Sequence, residues 1–182
     1  MKYIKLLIAP VLLLIGVLIA IACEPDDICP EGMATTPRLI IDFHDASNPD
    51  TKKNVFDLIA FGVGNDNVLS DYYFTDTDEV FLPLKTDVNT TQYTLISDAT
   101  VNDNGTPDDD TDDYIEGNPD TITINYSREE VYVSRACGYK TIYKNVTLTI
   151  EPDADNWMLS RQPMNENQSV ENEDETHFII SH

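Results

Sequence analysis

Basic side chains are scarce: Lys and Arg number 11 against 33 Asp and Glu in 182 residues, for a formal charge of −22. A surface of that sign repels nucleic acid and anionic lipid, which excludes nucleic-acid binding as a function. It accommodates divalent cations or basic partners, although a solvated acidic surface needs neither. Histidine is rare as well, with three, and no GxSxG, HExxH, P-loop or GxGxxG spacing occurs. The chain therefore offers no nucleophile elbow, zinc-protease helix or phosphate cradle. Nor does any segment place apolar residues at i, i+3, i+4 and i+7 over three turns, so no amphipathic helix is expected.

What is present begins with one long charge-free run, Leu6–Ala22, behind the basic start Met1-Lys2-Tyr3-Ile4-Lys5. A basic n-region, an apolar h-region and small residues before a cleavage point make a secretory signal peptide. At about 17 residues the run stands at the lower edge of what spans a bilayer, so a retained transmembrane anchor is the alternative. Ala20-Ile21-Ala22-Cys23 resembles the lipobox of bacterial lipoproteins, whose Cys takes diacylglycerol and becomes the new N-terminus. Ala20 departs from the Leu usual three residues before that Cys. Glu24-Pro25-Asp26-Asp27 then ends the apolar run at once. The expectation is a signal peptide over 1–22, a lipidated acidic tether over 23–36 and one domain over 37–182. Acyl chains on Cys23, at about 0.8 kcal/mol per buried methylene, would anchor the chain without a helix.

With Cys23 lipidated, Cys29 and Cys137 are left as an even pair in an oxidising compartment, where such pairs form disulfides. Two free thiols or a metal pair are the alternatives.

Beyond the tether the dominant signal has period two, the mark of half-buried strands. Leu39, Ile41 and Phe43 share one face of 37–44, with Asp42 and His44 pointing outward. The segment 55–63 is apolar on both faces and reads as a central strand. Pro83 pushes 79–84 to an edge. Further strands are expected at 92–97, 121–126, 130–137, 139–150 (bent near Asn145) and 176–181, with a short one at 157–159. The fold class predicted is all-β, an antiparallel two-sheet sandwich, immunoglobulin-like in general form. The segment 98–120, with nine Asp/Glu and no Lys or Arg, is expected to be a solvated acidic loop, and 151–175 a long connection.

Several stretches resemble an uncharacterised lipoprotein family of Gram-negative bacteria, a domain of unknown function. They are Asp26-Asp27-Ile28-Cys29, Thr36-Pro37-Arg38-Leu39-Ile40-Ile41-Asp42-Phe43, Val131-Tyr132-Val133-Ser134-Arg135-Ala136-Cys137-Gly138-Tyr139-Lys140 and the ending His177-Phe178-Ile179-Ile180. The resemblance implies export, a Cys29–Cys137 pair and a place in the envelope beside an outer-membrane barrel protein. It implies no activity.

Two chemistries deserve weighing. Asn102, Asn104, Asp108 and Asp110 alternate oxygen ligands around Gly105, the pattern of a loose calcium loop. An EF-hand register fails, because Asp113 and Pro119 fall where Gly and Glu are needed. A plain solvated loop accounts for the same residues, and no other cofactor is indicated. Asp42 and His44, two apart on a strand, could chelate but more simply make a polar face. The reading is a lipid-anchored, non-enzymatic binding or structural component of the outer membrane, on its periplasmic or cell-surface face. The alternative is an envelope hydrolase or glycan-processing enzyme whose site is assembled from distant residues.

Overall fold

The structure, a computed structural model, describes residues 28–30, 32, 35–65 and 67–182. The expected signal peptide over 1–22 lies outside the described residues. Two compact units emerge, one of Ala34–Val131 with Lys140–His182, the other of the N-terminal segment to Met33 with Tyr132–Tyr139.

Ten strands are found among the described residues: β1 (Leu39–Asp45), β2 (Asn48–Lys52), β3 (Val55–Gly62), β4 (Thr75–Thr77), β5 (Glu79–Leu82), β6 (Thr90–Asn102), β7 (Tyr114–Ser134), β8 (Gly138–Ile150), β9 (Ser160–Pro163) and β10 (Phe178–Ser181). They form two five-stranded sheets. One runs β2-β1-β10-β9 with β5 also on β1, and the other β4-β3-β6-β7-β8. The fold is the expected all-β sandwich. One pair departs from the antiparallel rule: β10 lies parallel to β1, with Ile41 opposite Phe178 and Phe43 opposite Ile180.

Alternation explains the core. Leu39, Ile41 and Phe43 of β1, Leu58 and Ala60 of β3, Leu95 of β6, Ile122 and Ile124 of β7 and Leu148 of β8 belong to one buried cluster. Each full burial of a Leu, Ile or Phe is worth about 1.5–3 kcal/mol against exposure. Three core tyrosines carry a second duty. Tyr93, Tyr143 and Tyr126 donate their hydroxyls to the successive carbonyls of Pro83, Leu84 and Lys85. The turn leaving β5 is thereby satisfied from inside the sandwich, as buried polar backbone requires. Burial raises the Tyr93 and Tyr143 hydroxyls to about 12, which keeps both as donors.

Several expectations need correcting. The strands foreseen at 121–126 and 130–137 are one strand, the 21-residue β7. The acidic loop is shorter than the expected 98–120: β6 continues to Asn102 and β7 starts at Tyr114, pairing Asn102 with Tyr114 and leaving 103–113 as the exposed loop. The short strand begins at Ser160, not at 157. Asp42 and His44 are buried, although outside the core cluster that holds Leu39, Ile41 and Phe43. The bend near Asn145 is present, with φ 52° and the Asn145 amide bonding Ser127 Oγ. β5 takes an edge position against β1, as Pro83 suggested. The connection 151–175 is pinned where Arg38 meets Glu173 through both guanidinium and backbone N–H groups.

A bulge interrupts the β6–β7 ladder. Ser97 pairs with Asn118 and Thr100 with Glu116, so Asp98 and Ala99 together face Gly117. Gly117 sits at φ +153°, and a Cβ there would meet Ile96 Cγ2 at 2.5 Å and Ser97 O at 2.9 Å. Gly117→Ala is expected to cost about 2–4 kcal/mol through strain and overpacking. Gly105→Ala has left-handed φ but no atom within 4 Å, and should cost about 1–2 kcal/mol. Denaturant midpoints of the two variants check this, and equal shifts would contradict it.

Candidate functional site

Cys23, the expected lipidation site, lies outside the described residues. Cys29 and Cys137 are joined, with Cα atoms 4.8 Å apart across a separation of 108 residues. Both belong to the smaller unit. The turn between β7 and β8 presents Cys137: its N–H bonds Ser134 Oγ at 3.0 Å, and Gly138 supplies φ +69°. Tyr132 and Tyr139 stack edge to face beside it, ring centres 5.4 Å apart. Closing so long a loop stabilises the folded chain by about 4–5 kcal/mol on loop-closure grounds.

The residues of the calcium-loop expectation bond to one another and their neighbours. Asn102 gives its amide N–H to Glu116 and accepts the Asn104 backbone N–H on its oxygen. Asn104 turns its amide nitrogen to Asp112 at 2.9 Å, so a donor points where a ligand oxygen would be wanted. Asp112 also accepts from Thr106, and these two bonds, Asn104 first, hold its carboxyl below the usual range. Asp108 and Asp110 lie in the exposed stretch 103–113. Among the described residues, no three His, Cys, Asp or Glu side chains group so as to hold a metal ion.

The histidines are structural members. Nδ1 of His177 accepts the Ile40 N–H at 2.9 Å while the His177 N–H returns to Ile40 O at 3.0 Å. The lone pair that a general base would use is thus spent on the backbone of β1. The buried ring is held below its ordinary 6.5 chiefly by desolvation. It lines a recess of about 200 Å³ with Asn165, Ser169, Glu171, Asn172 and Glu175. His44 bonds Pro49 O. Asp42 receives Lys52 at 3.1 Å and Thr176 at 3.0 Å on one oxygen, while the other has no partner.

A second recess, of about 230 Å³, was not foreseen. Lys53, Asn54, Phe56, Ser97, Asp98, Trp157 and His182 are among its walls. Trp157 packs on Phe43 at 5.7 Å and meets His182 edge-on at 5.5 Å. The bulge brings Asp98 to the rim, at φ 50°. Asp120, 0% exposed, accepts the Met158 N–H at 2.8 Å and so fixes the chain at Trp157. Burial raises that carboxyl. The lining comes from four separate stretches of sequence, and only the single Trp was a signal. The recess presents rings with an amide, a hydroxyl, a carboxylate and an ammonium, a lining suited to a small polar guest.

The His177 bond fixes a sign. A histidine whose folded value lies below its unfolded value takes up protons more readily when unfolded, so stability falls as pH drops below about 6.5. His182, also lowered mainly by burial, acts in the same sense. Asp120, raised, acts oppositely over the carboxylate range: its contribution is present at acid pH and lost as pH rises through its raised value. His177→Asn keeps an acceptor for Ile40 and removes the proton, and should flatten stability against pH below about 6.5. Denaturant midpoints over a pH series decide it, and an unchanged slope would contradict it.

Comparison with curated proteins and with solved structures gives no match. A family model matches residues 57–182, which take in β4 to β10, most of β3 and Cys137. The chain therefore belongs to that family, described as a family of unknown function (DUF6452).

Proposed function

We propose that the protein is an exported, lipid-anchored component of the bacterial outer membrane that binds or scaffolds without catalysing. The observation that carries this reading is the Cys29–Cys137 bond. Disulfides persist in oxidising, exported compartments and are rare in the cytosol, and this one closes six residues after the Cys of the lipobox-like Ala20-Ile21-Ala22-Cys23. The two features are independent and point to the same address. A non-catalytic role is supported by the histidines, whose ring nitrogens serve Ile40, Pro49 and Lys53 of the backbone. The hydrolase alternative draws on the recess beside His177 and is less well supported, because the Ile40 N–H occupies Nδ1. A neighbouring barrel protein is the proposed contact in the envelope.

Intact-mass spectrometry of membrane-extracted protein tests the anchor. The expected species begins at Cys23 and carries diacylglycerol and acyl mass. Cys23→Ser should abolish that species. A native chain that is unacylated, or that retains residues 1–22, would contradict the proposal.

A further inference from the structure

We propose that the turn Tyr132–Tyr139 rests on the phospholipid headgroup layer, as a second contact beside the lipid. The inference rests on the lipid anchor proposed above and goes beyond it. Three observations on the smaller unit support it.

The first is reach. Cys29 follows Cys23 by six residue steps, with five residues between them, and even a fully extended chain of that length spans only about 20 Å. Cys29 is bonded to Cys137, so the turn is held to within that distance of the acyl chains. That is about half the thickness of a bilayer with its headgroups, ~40 Å. The disulfide thereby converts a flexible attachment into a short leash on this one turn.

The second is the character of the surface. Tyr132 and Tyr139 are 57% and 67% exposed although stacked on each other, and Ile28, next to the disulfide, is 78% exposed. A Cβ on Gly138 would meet nothing within 4 Å. Tyrosine combines an apolar ring with a polar hydroxyl, which is why it concentrates at membrane–water interfaces. The third is charge. In a chain with 33 acidic residues, the stretch 131–150 has none, so the turn presents no carboxylate to lipid phosphates. The acidic Glu24, Asp26 and Asp27 belong to the leash between Cys23 and Cys29, and Glu31 follows Cys29.

Tyrosine footprinting of the full lipidated protein in phosphatidylethanolamine–phosphatidylglycerol vesicles tests this, with Tyr73 and Tyr114, 55% and 48% exposed, as internal controls. On exposure alone the four should label at similar rates. The expected result is several-fold slower labelling of Tyr132 and Tyr139 only, with Cys23 acylated in the same spectra. Uniform labelling of all four on acylated protein would overturn the inference and leave the anchor standing. Missing acyl mass at Cys23 would overturn both. Protection seen in intact cells but absent from vesicles would assign the face to a protein partner and overturn the lipid contact.

Discussion

A single covalent bond, Cys29 to Cys137, ties the chain ahead of β1 to the turn between β7 and β8. It closes a loop that contains β1 through β7. The bond is also the observation on which the proposed exported address rests, since disulfides persist in oxidising compartments and are rare in the cytosol. With the proposed lipid on Cys23, the same link would give a short covalent path from lipid to a defined turn of the hairpin.

Inside the larger unit, polar groups are placed with comparable economy. Three tyrosine hydroxyls satisfy three successive carbonyls from Pro83 to Lys85. Thr91 completes the set, taking the Lys85 N–H and lying 2.6 Å from the Tyr126 hydroxyl. Asp120 offers its carboxylate to the Met158 N–H in a fully buried position. Each bond of this kind contributes about 1 kcal/mol net, but an unmade one would leave a desolvated group at a cost of about 1–3 kcal/mol. Most buried polar groups accordingly meet a fixed partner, as His177 does on Ile40, although one oxygen each of Asp42 and Asp120 stays unpartnered.

Much of the sandwich was legible in alternation. Leu39, Ile41 and Phe43, or Ile122, Ile124 and Tyr126, state which face is buried without reference to anything distant. The strands that were missed, Asn48–Lys52 and Thr75–Thr77, are almost wholly polar and bury no face, so period two has nothing to register. The polar run Ser127-Arg128-Glu129-Glu130 concealed the continuity of β7, which is secured by its neighbour β8 and not by a core. Asp120 resembled its solvated neighbours because its partner lies 38 residues further on. Asp42 looked outward for the same reason: its bonds come from Lys52 and Thr176. The disulfide was accessible from counting, since removing one Cys to lipid leaves a pair. The Trp157 recess was not, because a bulge and a buried carboxylate build it, and neither leaves a local trace.

The central claim is that the mature chain is an exported protein whose turn is covalently leashed through Cys29 and Cys137. Its most direct test is alkylation of the protein isolated from cells and unfolded, with and without reductant, followed by peptide mapping. The account predicts no alkylation at Cys29 or Cys137 before reduction, a linked peptide pair containing both, and two new alkylated sites after reduction. Alkylation of both residues in the unreduced, unfolded chain would contradict it.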